Sequence, residues 1–215
     1  MVETINIRNI PYDINPGILY QIRSANNNFG NPGTQATLGR DEYIRYLGSF
    51  TPAGHSRHLN ETEKTEAWNT LVRIVGSAHE RVRGLRVTID MTIDGGGAAM
   101  SCAALIVGSP SPVALVILGI VGGSLLGAFF EQEFMTKDDH DVSIPMSYGT
   151  LAMSGGLLFV KHAAGIAVTG VVGRYVAPLV AEESLLGGLV MIASATAAGT
   201  AVREAFHFGM RHLFL

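Results

Sequence analysis

Four short stretches of this 215-residue chain carry residue types capable of catalysis or metal binding. Cys102 follows a glycine run and His140–Asp141 lies downstream. Together they are the components of a nucleophilic site in which an imidazole takes the thiol proton. Within "SCAALIV", however, Cys102 reads as a small buried thiol. "DMTIDG" (90–95) has the spaced carboxylates of a calcium loop, but Ser101 stands where the twelfth-position acid belongs. Asp90 and Asp94 then read as the solvent face of a strand. His55 and His58 in "GHSRH" have near-ligand spacing, yet no cysteine or carboxylate cluster accompanies them, so an exposed loop is expected. The chain has no GK[ST] phosphate loop, no GxSxG elbow and no HExxH. The expectation is a protein that is not an enzyme, with no catalytic residue, no cofactor and no metal.

The composition points elsewhere. Charged residues make up 15% of the chain and Gly contributes 26 positions. Both are unevenly spread. Nine glycines fall in residues 1–95 and seventeen in 96–215, whereas charges number twenty in the first part and thirteen in the second. A net charge of −3 supplies no basic footprint, so nucleic acid is not an expected partner. One cysteine excludes an internal disulfide framework. "MVETINIRNI" lacks a basic region followed by an apolar core, so export, if it occurs, is expected to use a signal-independent route.

The elements that would position functional residues fall into three expected regions. Residues 1–59 read as a polar, irregular lead-in and a possible docking surface, with turn signals at "NIPYDINPG", "NNNFGNPG" and "FTPAGHS". Within it "TINI" and "GILYQIR" have strand character and "RDEYIRYL" spans one or two helical turns. Residues 60–97 read as an amphipathic helix and a strand. Asn60 and Glu63 have capping-box spacing, and Trp68, Leu71, Val72, Val75, Ala78 and Val82 form an apolar stripe, with Gly84 as a stop. "RVTIDMTID" then alternates with period two, the pattern of a half-buried strand.

Residues 98–215 read as a glycine-rich, apolar, membrane-active helical domain. Its first segment, 98–108, is too short to span a bilayer and turns at Ser109–Pro112 into Val113–Phe130, eighteen residues without a charge. After the acidic connector "EQEFMTKDDHD" come segments at about 149–173 and 184–202, then an amphipathic tail. Gly119, Gly123 and Gly127 recur every fourth position, Gly165, Thr169 and Gly173 repeat the device, and Ala193, Ala197 and Ala201 follow. Small residues four apart share a helix face and allow close packing where lipid supplies no hydrophobic drive. Lys161 and His162 interrupt the third segment and demand a cavity or partner. The fold expected is mainly α: a helical bundle around a hydrophobic hairpin, plus an irregular N-terminal region with a few short strands.

This arrangement resembles the hydrophobic hairpin of pore-forming colicins and the glycine-zipper membrane effectors of bacterial contact-dependent secretion. The resemblance is carried by the hairpin 98–130, by Gly119, Gly123 and Gly127, and by "FFEQEF". Unlike the colicin plan, two further apolar segments follow, and no long charged stalk precedes. The resemblance implies an effector or toxin that permeabilises or depolarises a target membrane. Its expected partners are the lipid bilayer and either further copies of itself or a chaperone or immunity protein. The alternative is a resident integral membrane subunit or scaffold.

Overall fold

The computed structural model of the chain describes residues 2–11, 13–30, 36–77, 84–93, 95–96, 112–176 and 185–215. The fold is mainly α, with one two-stranded sheet near the N-terminus. It forms two compact units. The first comprises Met1–Gly84, Glu131–Gly155 and His207–Leu215; the second comprises Leu85–Phe130 and Gly156–Phe206.

In the first unit, β1 (Thr4–Asn6) pairs antiparallel with β2 (Thr37–Gly39), with Ile5 opposite Leu38. Between them lies α1 (Pro16–Phe29), which includes the "GILYQIR" stretch expected to have strand character. The helix is decided by its start and its stripe. Asn15 accepts the Gly17 N–H at 2.8 Å, and Pro16 occupies the first turn, where a missing N–H costs nothing. Ile18, Leu19, Ile22 and Ala25 then fall on one face and are fully buried. Next come α2 (Arg40–Gly48) and α3 (Glu61–Ser77).

The α3 entry is the expected capping box: Asn60 Oδ1 accepts the Glu63 N–H at 2.9 Å, and Glu63 Oε2 accepts the Asn60 N–H at 2.7 Å. The Arg57 guanidinium, together with the Asn60 N–H, holds the Glu63 carboxyl down at about 2. Trp68, Leu71 and Ile74 of α3 join Ile18, Leu38 and Leu47 in one apolar core. Two buried polar side chains of this unit are matched to each other and to the backbone. Tyr43 OH donates to Gln21 Oε1 at 2.9 Å, and Gln21 Nε2 donates to Pro145 O at 2.8 Å. Burial, reinforced by the neighbouring Tyr46 phenol, pushes the Tyr43 hydroxyl far above its ordinary range.

Residues 84–93 form a helix, here α4, and not the strand expected over 86–94. Gly84, expected as a stop, is its first residue. Among the described residues the sheet consists of β1 and β2 alone, so a strand here would have no partner for its backbone N–H and C=O groups. As a helix these residues satisfy their own backbone, and Arg86 and Asp90, four apart, share a face. Asp90 is correspondingly fully buried and not on a solvent face.

The long helices follow: α5 (Pro112–Met135), α6 (Tyr148–Val176) and α7 (Leu185–Phe214). The expected turn at Ser109–Pro112 and the arm before it fall largely on 97–111, outside the described residues, as does Cys102. Helix α5 continues past Glu131 and Glu133, and α7 absorbs the expected separate tail into one 30-residue helix. Glu131 is not an exposed connector residue. It is fully buried in the first unit, with its Oε1 3.1 Å from His207 Nε2.

In the segment that follows, Asp138 acts as a clasp. Its Oδ1 accepts the His140 and Val142 N–H groups at 2.9 Å, and its Oδ2 accepts Arg73 Nε at 2.6 Å. Asp141 takes a left-handed conformation (φ 61°), which suits a short polar side chain in a turn.

Candidate functional site

Three helices of the second unit bring charges into its interior. Asp90 on α4, Lys161 and His162 on α6 and Arg203 on α7 are all fully buried. Lys161 Nζ lies 3.1 Å from Asp90 Oδ1, and Arg203 donates through NH1 to Asp90 O at 2.7 Å. The same NH1 is 3.4 Å from Asp90 Oδ1, and Arg203 NH2 reaches His162 O at 3.5 Å. His162 Nδ1 is 3.8 Å from Asp90 Oδ1, within electrostatic reach but beyond a hydrogen bond. One turn earlier on α4, the buried Arg86 donates through NH2 to Glu204 Oε1 at 2.6 Å. Removing ions from water costs several kcal/mol each unless partners compensate, so this centre is held only while α4, α6 and α7 stay together.

The expected packing glycines lie around this centre, and the structure gives them a specific use. A Cβ on Gly127 would stand 2.7 Å from the His162 ring and 2.5 Å from Ile93 Cδ1. A Cβ on Gly123 would stand 2.8 Å from Ile166 Cδ1, and one on Gly165 would overlap the Arg203 side chain. These three glycines therefore make room for large side chains, including two members of the charged centre. That differs from backbone-to-backbone approach, the use inferred from their spacing. A Cβ on Gly173 would meet Ala195 Cβ at an ordinary 3.9 Å. Gly119 is buried in α5. Thr169, between Gly165 and Gly173, turns its hydroxyl back to Gly165 O at 2.9 Å.

The exterior of the unit has the opposite character. Leu125, Leu126 and Phe129 on α5, Val160 and Val171 on α6 and Leu189 on α7 are each more than half exposed. Two helices are long and apolar enough to cross a membrane: Tyr148–Gly173, with 26 residues, and Gly187–Phe214, with 28. At 1.5 Å per residue they measure roughly 39 and 42 Å, against a hydrocarbon core of about 30 Å. A core helix of a water-soluble protein is mostly covered by its neighbours. Here only 33% and 17% of the apolar windows are buried. Lys161 and His162 stand immediately after the midpoint of the first span.

Other sequence candidates stay apart. His55 and His58 are exposed, and His58 Nδ1 lies 3.0 Å from Phe50 O. His140 uses its backbone N–H on Asp138. A cavity of about 380 Å³ in the first unit is lined in part by His55, Glu63, Glu66 and Glu133. Of these acids, Glu63 is tied to Arg57 and Glu133 to Lys137.

Sequence reasoning missed Arg86, Asp90, Arg203 and Glu204 as a set. The available signal was Lys161 and His162 themselves, because a base in mid-span requires an acid, and Asp90 stands four residues from Arg86.

No protein-family model matches the chain, and no curated protein or solved structure matches it.

Proposed function

We propose that the chain is a membrane-inserting effector that permeabilises or depolarises a target bilayer through α5, α6 and α7. One observation carries this reading. The second unit turns Asp90, Lys161, His162 and Arg203 inward and Leu125, Phe129, Val171 and Leu189 outward. Water favours the reverse, whereas a bilayer favours apolar exteriors and tolerates ionisable groups only when they meet one another or line a path. A charged centre near mid-span is where such helices form a route for ions. The resemblance to hairpin effectors agrees with this reading, as do the small residues that admit Arg203 and His162. The lipid bilayer is then the principal partner. Copies of the chain, or a chaperone or immunity protein, cover the apolar exterior outside it.

The test is flotation with liposomes, combined with the decay of a potassium diffusion potential. Co-flotation with accelerated decay supports the reading. Protein that stays in the aqueous fraction and leaves the potential intact sinks it. Co-flotation without decay selects the resident membrane subunit or scaffold.

A further inference from the structure

The last turn of α7 carries Arg211 and His212, and two further guanidinium groups come from elements that meet it. Arg211 donates through NH2 to the backbone O of Arg8 at 2.6 Å, so the short 3-10 turn Ile7–Asn9 lies against the helix end. On α1, the Tyr20 ring meets Phe214 edge-on with centroids 6.0 Å apart, and Arg23 stands one turn further along. Arg8 and Arg23 are exposed and Arg211 is half-buried. All belong to the first unit. Among the described residues, none of the three arginines pairs with a carboxylate. We propose that this end of the first unit is a docking collar for the phosphate headgroups of an anionic bilayer. The proposal deepens the membrane-inserting reading given above and rests on it.

Two observations assign lipid to the collar. The first is apolar company. Phe208, Arg211 and His212 are three and four residues apart and so share a face of α7. Phe208 is 56% exposed, and its ring meets the exposed His212 edge-on with centroids 4.5 Å apart. Leu213, on the next position, is also more than half exposed. Exposed aromatic and aliphatic groups beside cations suit a membrane–water interface, where rings enter the acyl boundary and guanidiniums stay with the headgroups.

The second is length. The apolar span Gly187–Phe214 exceeds the hydrocarbon core of about 30 Å, which roughly twenty helical residues fill. With Gly187 at one edge of that core, the other edge falls at about residue 206. Residues 207–214 then lie in the headgroup layer, at the depth where Arg211 can meet phosphate. His207 is also where α7 passes from the second unit into the first. A guanidinium presents two parallel N–H donors to a phosphate group. The chain as a whole is repelled by an anionic surface, because its net charge is −3. A local group of cations without acidic partners therefore selects which end meets that surface.

Flotation of the full chain against increasing lipid tests the collar, with vesicles of phosphatidylcholine alone or mixed with phosphatidylglycerol. At low salt, three guanidiniums at about fivefold each should lower the half-saturating lipid concentration about a hundredfold on the anionic vesicles. Added salt should shrink that preference. Arg8→Gln, Arg23→Gln and Arg211→Gln should each cut it about fivefold, and Arg211→Lys should keep it. The Arg8 and Arg23 side chains make no hydrogen bond among the described residues, so their variants serve if Arg211→Gln folds poorly. Arg57→Gln changes net charge equally at the entry of α3 and should leave the preference in place. A loss in Arg57→Gln as large as in the three collar variants assigns the effect to net charge and overturns the proposal. Release by inorganic phosphate at constant ionic strength marks a free-anion site and overturns it as well. Equal binding of wild type to both vesicle types, with the diffusion potential still dissipated, removes the collar and leaves the permeabilising reading standing. Protein that floats with neither vesicle removes both.

Discussion

Replacing Gly127 with alanine isolates the use of glycine around the buried centre. Alanine is the better helix former by about 1 kcal/mol, so propensity alone stabilises the variant. The structure opposes that gain. The new Cβ would come 2.7 Å from the buried His162 ring and 2.5 Å from Ile93 Cδ1. Ile93 can rotate, but the ring sits among Asp90, Arg203 and Lys161 and has little freedom. Overpacking of this kind costs about 1–3 kcal/mol.

Gly122 lies on the same helix, and among the described residues nothing comes within 4 Å of an added Cβ. Gly122→Ala therefore records propensity and added apolarity without the clash. The difference between the two variants is the packing term, about 1–3 kcal/mol in favour of Gly122→Ala. For a chain of this length that separates the melting midpoints by about 2–4 °C per kcal/mol. Thermal unfolding in detergent, followed by helical circular dichroism, measures it. Equal midpoints would refute the assignment of Gly127 as room for His162.

Gly123→Ile should leave flotation intact, because the segment becomes more apolar, while leak falls as Ile166 and Ile93 are displaced; leak equal to wild type in membrane-bound protein removes this glycine from the functional set. Asn15→Ala removes the α1 cap and the acceptor that takes the Ser154 hydroxyl at 2.9 Å. It should lower the stability of the first unit by about 1–2 kcal/mol, read from the emission of the buried Trp68 in denaturant. For Asp138, burial raises the carboxyl pKa, but hydrogen bonds from Val142, Arg73 and His140 outweigh burial and hold it below the ordinary 3.8. Since the folded value is depressed, the clasp contributes stability above pH 3.8 and loses it as pH falls through the lower folded value. Asp138→Asn should flatten the acid limb of the stability curve, and a limb identical to wild type would exclude the clasp.

What the sequence determined by itself was local. Asn60 and Glu63 are three residues apart, so their reciprocal bonds depend only on the helix they begin. Long uncharged runs must be helical wherever they are removed from water, because only a helix satisfies every internal N–H and C=O within one segment. Lys161 and His162 were visible as misfits for the same reason. Tertiary structure decided everything that needed a distant partner. The alternation of "RVTIDMTID" fits a strand, but α4 is helical; Asp90 meets Lys161, and also Arg203, 113 residues away. Glu131 looked like the end of an apolar run, yet His207, 76 positions on, gives it a buried partner. The spacing of Gly123, Gly127 and Gly165 announced a packed face without saying what packs there. Residue type and period set which side of a helix is crowded, but the crowding groups come from other helices, and long-range charge pairing leaves no period in the sequence.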